Sequence, residues 1–210
     1  DESLGQARNN LYLAGKCWAA YIALERVFQK LKLLEWSVEA GLQAERCADS
    51  ILSYRTEEGF IPAVMGEHHD SKIIPAIEGL VFPYVTGCKE ALDPEGRFGP
   101  YITGLKQHLQ SVLKPGICLF EDGGWKLSST SNNSWLSKVY LCQFVARRIL
   151  GLEWEEAGLA ADRAHTAWLT HPEHSYWSWS DQIISGEIHG SKYYPRGVTA
   201  ILWLLEKEQA

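Results

Sequence analysis

Through most of this chain apolar residues return every three or four positions, and no comparable stretch alternates with the period of two that a half-buried strand needs. One run carries Leu4, Leu11, Cys17, Trp18, Tyr21, Leu24 and Phe28, and another carries Leu136, Val139, Tyr140, Phe144, Val145 and Ile149. The pattern predicts helices over 3–31, 36–55, 74–87, 99–114, 133–150, 154–170 and 196–207, hence an all-α protein. The links add a second constraint. Short ones (32–35, 88–98, 151–153) alternate with long ones (56–73, 115–132, 171–195). Consecutive antiparallel helices put alternate links at opposite ends, so the three long loops are expected together at one end. Loops beyond about 15 residues are uncommon in compact domains unless they carry function.

The long loops echo one another. Ser71-Lys72-Ile73-Ile74-Pro75 opens the third helix and Ser191-Lys192-Tyr193-Tyr194-Pro195 the last, with Ser131-Asn132-Asn133 halfway between. Glu58-Gly59-Phe60 and Asp122-Gly123-Gly124-Trp125 enter the first two loops in the same way. Proline near a helix start is common, so the echo has a chance reading, but the loop-length alternation supports a repeat independently. A period of about 60 residues, two helices and one long loop each, belongs to an α/α toroid or solenoid. Three and a half hairpins fall short of a ring of six. The expectation is about half of an (α/α)6 barrel, with apolar helix faces open at its edges.

Composition narrows the partners. With 46% hydrophobic and 22% charged residues the chain can build a core. A net charge of −6 and no Lys/Arg stripe argue against nucleic acid. No run of about 20 apolar residues is present, so no membrane span is expected. The five cysteines (Cys17, Cys47, Cys88, Cys118, Cys142) contain no CxxC pair and three lie in helical patterns, which favours a reduced, cytoplasmic setting. The first residue is Asp1, not Met, so processing or excision from something longer is expected.

The loops hold the chemistry. Candidates are Glu67, His68, His69, Asp70 and Lys72 in the first, then Glu121, Asp122, Trp125, Asn132 and Asn133 in the second. The third contributes Ser175–Gly197, with Trp177, Trp179, Asp181, Glu187, Lys192 and Arg196. Adjacent His68-His69-Asp70 rarely ligate one ion and no HExxH or Cys pair accompanies them, so no metal is expected. No other cofactor is expected either. A GxSxG elbow and a P-loop are both missing. Carboxylates beside Trp and Tyr suit carbohydrate: the C–H face of a pyranose stacks on an aromatic ring, while its hydroxyls pair with carboxylates, Arg, Lys or Asn. Nine tryptophans allow it. Trp18, Trp154, Trp168 and Trp203 fall in or beside helical apolar patterns and read as core. Trp125, Trp177 and Trp179 fall in loops and read as contact residues, and Trp135, at a loop–helix junction, suits either. Glu187 and Arg196, nine apart across Gly190 and Pro195, fit either a common ligand or a structural ion pair bracing the loop.

Four long stretches, SLGQARNNLYLAGKCWAAYIALE, GFIPAVMGEHHDSKIIPAIEGLVFPY, FEDGGWKLSSTSNNSWLSKVYLCQF and WSWSDQIISGEIHGSKYYPRGVTAILWL, closely resemble the C-terminal part of family 52 glycoside hydrolases, the bacterial β-xylosidases. The resemblance covers essentially all 210 residues. It implies the latter half of an (α/α)6 barrel that follows a β-sandwich domain, and retaining release of xylose from non-reducing ends. The distantly similar family 116 β-glucosidases grip sugar hydroxyls with a Glu and an Arg nine residues apart, which implies that role for Glu187 and Arg196. Retaining hydrolysis needs two carboxyl groups about 5–5.5 Å apart. By resemblance the nucleophilic Glu lies upstream of the matched segment. The acid/base Asp belongs to a stretch with two Asp of which only Asp1 is present, so Asp1 or the lost Asp is the catalytic one. Beside an α-ammonium, Asp1 would be a poor general acid. The isolated chain is therefore expected to be inactive. Its expected partners are xylose or xylo-oligosaccharide, and either the missing N-terminal half of the enzyme or a second copy. The rival reading is a non-catalytic helical domain that binds sugar or protein through the same loops.

Overall fold

A computed structural model of the chain describes residues 7–67, 69–152, 156–172 and 182–188. Helices dominate, as the periodicity predicts, and no described helix is long and apolar enough to cross a membrane. The chain divides into two compact units, one of residues 1–71 and 76–111, the other of 72–75 and 112–210.

The first unit is built on a helical hairpin, α1 (Leu11–Lys30) and α2 (Leu34–Ser53). The predicted first helix starts later than the apolar pattern suggests. Asn9 is left-handed (φ 52°), and Asn10 is extended with its Oδ1 accepting the N–H groups of Tyr12 and Leu13 at 3.0 and 3.4 Å. That satisfies two of the four donors a helix start leaves open, so the helix begins at Leu11. Ala40, Ala44, Ala48 and Ile51 form the buried ridge of α2, small enough for close helix approach. Trp18 is fully buried between Phe98 and Tyr101, with ring centroids at 5.5 and 4.9 Å.

The predicted third helix is instead a 3-10 helix, Ile74–Leu80, followed by one α-helical turn, α3 (Val81–Val85). A close approach marks this segment. A Cβ on Gly79 would stand 2.6 Å from the carbonyl oxygen of Gly15, so only glycine lets this backbone press on α1. A second 3-10 turn, Lys89–Leu92, leads to α4 (Gly99–Val112). On α1 one stripe stays uncovered. Leu13, Cys17, Ala20, Leu24 and Val27, with Leu31 just beyond, recur at spacings of four and three, and Leu31 is 62% exposed.

In the second unit the predicted helix over 133–150 opens as a strand, β1 (Asn133–Trp135), before α5 (Leu136–Phe144). Helix α5 ends in a π-helical turn, Val145–Ile149, and α6 (Glu156–Leu169) follows. Part of the predicted long loop 171–195 is a hairpin of β2 (Gln182–Ile184) and β3 (Glu187–Ile188), which completes an antiparallel sheet of order β1-β2-β3. Its turn residues, Ser185 and Gly186, both take positive φ (55° and 83°), as a two-residue type I′ turn requires. Leu136, Ala164, Trp168 and Ile183 form the core, with Phe120, Tyr140 and Leu169 packed on it.

The expected repeat is present in the hydrogen bonds. In the first unit Gly59 donates to Thr56 O and Thr56 to Phe60 O; in the second Gly123 donates to Phe120 O and Phe120 to Gly124 O. Gly59 and Gly123 are both left-handed, at φ 91° and 86°. Two residues after each glycine a backbone N–H meets a buried imidazole at 2.9 Å: Ile61 to His108 Nδ1, and Trp125 to His165 Nε2. Leu11 donates to Ala63 O as Ile74 does to Leu127 O, and Met65 to Asn9 O as Ser129 does to Lys72 O. The equivalent backbone positions are 63 to 64 residues apart, while the two imidazoles, His108 and His165, are 57 apart. The first two long loops thus repeat one hydrogen-bonded pattern.

His165 lies 2% exposed beside Tyr140 and Trp168. Burial, helped by the charge of Arg147, lowers its pKa from 6.5 to about 3. The folded chain keeps this imidazole neutral where the unfolded chain protonates it. Its contribution is therefore complete above pH 6.5 and falls as pH drops toward about 3, by about 1.4 kcal/mol per pH unit inside that window. His165→Gln, which can still accept from Trp125, is expected to lose about 2 kcal/mol less than the wild type between about pH 7 and about pH 5, measured by urea unfolding.

Candidate functional site

Strand register builds the site. Asn133 pairs with Ile184, and Ile184 with Glu187; beside them Trp135 pairs with Gln182, and Ser134 with Ile183. Cross-strand partners share a face and neighbours along a strand alternate. Ser134 and Ile183 are fully buried and mark the core face. Asn133, Trp135, Gln182, Ile184 and Glu187 therefore occupy the opposite face, where each is partly or wholly exposed. Strand spacing of about 4.8 Å sets Asn133 and Glu187 about 10 Å apart across Ile184. Gln182 Nε2 donates to Asn133 Oδ1 at 3.1 Å, a diagonal pair on that same face.

The loops fix the sheet in place. Ser134 Oγ accepts from Leu127 N–H at 3.0 Å, Ser131 Oγ from Asn133 N–H at 3.1 Å, and Asn132 O from Ser185 N–H at 2.9 Å. Lys72 donates its N–H to Ser129 Oγ and accepts from Ser129 N–H, both at 2.9 Å. Residues from all three predicted long loops thus meet inside this unit.

A cavity of about 550 Å³ lies at the turn end of the hairpin, lined among others by Phe120, Glu121, Lys126, Asn132, Ser185 and Gly186. Asp122 also lines it, but its carboxylate is engaged, with Oδ2 accepting Trp168 Nε1–H at 2.8 Å and Oδ1 accepting Gly124 N–H at 2.9 Å. Lys126 Nζ donates to Ser129 O at 3.3 Å.

Other sequence candidates fall differently. Trp125 is 4% exposed, because its loop folds back on α6, so its ring packs behind the site and presents little face to a ligand. His69 uses Nδ1 to accept Ser71 N–H at 3.3 Å. Among the described residues no group of three or more His, Cys, Asp or Glu is placed to hold a metal ion. Asp1, His68, Trp177, Trp179, Asp181, Lys192 and Arg196 lie outside the described residues. Sequence reasoning missed Gln182 and the hairpin that carries it. The signal was present: Ser185-Gly186 between Ile183-Ile184 and Glu187-Ile188 is a two-residue turn between apolar pairs.

No protein-family model matches the chain. A curated relative does. The chain is 71% identical over 208 residues, 99% of its own length, to a β-xylosidase from Geobacillus stearothermophilus, and it spans 30% of that protein's length. Along nearly its whole length, then, this chain is similar to one part of a β-xylosidase.

Proposed function

We propose that this chain is the glycone-holding part of a retaining β-xylosidase that releases xylose from the non-reducing ends of β-xylosides. The observation that carries the reading is the 71% identity to a β-xylosidase. The shared sheet face of Asn133 and Glu187 supports it from the chemistry. In this reading Glu187 and Arg196 grip sugar hydroxyls, and Asp181, Lys192 and Asn133 complete the polar contacts. Trp177 and Trp179 offer apolar faces to the pyranose, and Trp125 contributes from its buried position in the second loop. Asp1 is the candidate acid/base, and the nucleophilic carboxylate comes from outside these 210 residues.

The ligand is xylose or a xylo-oligosaccharide. The repeated helical unit is read as half of an (α/α)6 barrel, and the uncovered stripe on α1 is where the rest of the protein packs; a second copy of the chain is the competing occupant. All five cysteines are free, which supports a reducing, cytoplasmic setting.

The purified 210-residue chain is expected to leave an aryl β-xyloside intact, while the full-length protein that carries it hydrolyses the same compound. Turnover by the isolated chain, surviving a control for contaminating enzyme, would overturn the division of labour. In the full-length protein Glu187→Gln is expected to raise KM for the aryl xyloside on the order of tenfold, since a charge-assisted hydrogen bond is weakened, with Tm little changed. Equal damage to Tm and KM would mark Glu187 as a brace for its loop.

A further inference from the structure

We propose that Trp135 and Gln182 are also sugar-contact machinery: Trp135 is an apolar platform, and Gln182 is a positioning residue that sets the orientation of the Asn133 amide. This deepens the xyloside reading and rests on it. Trp135 and Gln182 are direct cross-strand partners, one step along the strands from the Asn133–Ile184–Glu187 row and on the same face. One face of a three-stranded sheet thus carries an indole, two amides and a carboxylate. These groups match a pyranose, with a flat apolar ring for its C–H face and donors and acceptors for its hydroxyl rim.

On the core face of this sheet Ser134 and Ile183 are both at 0%. Trp135, the largest side chain on it, stands on the other face and is only partly buried.

An asparagine amide has an acceptor edge and a donor edge, and only its partners decide which way it points. Gln182 Nε2 donates to Asn133 Oδ1, so the donor edge of Asn133 is turned away from Gln182. Gln182→Glu keeps the shape of the side chain but sets a carboxylate oxygen against Asn133 Oδ1, which replaces that hydrogen bond by repulsion and disturbs the Asn133 side chain.

The test uses the full-length protein and reads kcat and KM for an aryl β-xyloside alongside Tm. Trp135→Ala is expected to raise KM by about tenfold while Trp135→Phe, which keeps a flat ring, stays within about threefold. Gln182→Glu is expected to raise KM by about the same factor as Asn133→Ala, with Tm within about 2 °C of wild type. Unchanged KM in Trp135→Ala or in Gln182→Glu would overturn the proposal, as would a loss of Tm that matches the loss in KM. If the wild-type protein fails to hydrolyse xylosides, the xyloside reading fails first. Tryptophan-fluorescence titration with xylose then decides the sheet face separately. Binding by wild type that Trp135→Ala loses supports the platform, and no xylose binding by wild type overturns it.

Discussion

The first two long loops share one interaction, a backbone N–H delivered to a buried imidazole. Ile61 meets His108 and Trp125 meets His165, both at 2.9 Å and both in nearly dry surroundings. A loop of this length carries backbone donors that cannot stay unpaired once buried. An imidazole accepts only while neutral, and burial at His165 secures that state. The consequences run outward. With Trp125 held on α6, Leu127 reaches Ser134, Ser134 fixes β1, and β1 sets the register of the hairpin that carries Gln182 and Glu187.

How much of this was legible in the sequence varied with the physics involved. Helical content followed from apolar spacing, and the repeat followed from short echoes such as Asp122-Gly123-Gly124 against Glu58-Gly59. What sets element boundaries was less visible. Leu4 and Leu11 fit one helical stripe, yet Asn10 caps the helix between them, a matter of local side-chain hydrogen bonding. The close backbone approach of Gly79 to Gly15, residues distant in sequence, left no local signal either. The site was half legible. Asn133 and Glu187 stood out as polar groups in loops, but their common face depends on the pairing of Asn133 with Ile184, 51 positions away, that no local pattern encodes. Trp125 looked available because it lies in a loop, and the loop turned out to fold its ring inward.

The arrangement separates holding from bond-breaking. The described carboxylate on the sheet face, Glu187, sits beside amides and an indole, a setting suited to gripping hydroxyls. In the proposed division the nucleophile belongs to another part of the protein, and the sheet fixes the sugar that it attacks. Orientation by several weak, well-placed contacts is what brings a reacting carbon within reach of a nucleophile. The uncovered stripe on α1 fits the same division, since this chain spans 30% of the relative it resembles.

A crystal structure of the full-length protein with xylose bound tests the central claim most directly. The account predicts one xylose with its hydroxyls within hydrogen-bond distance of both Asn133 and Glu187 and its ring face toward Trp135. A xylose seated in the active site with all three side chains out of reach would contradict it.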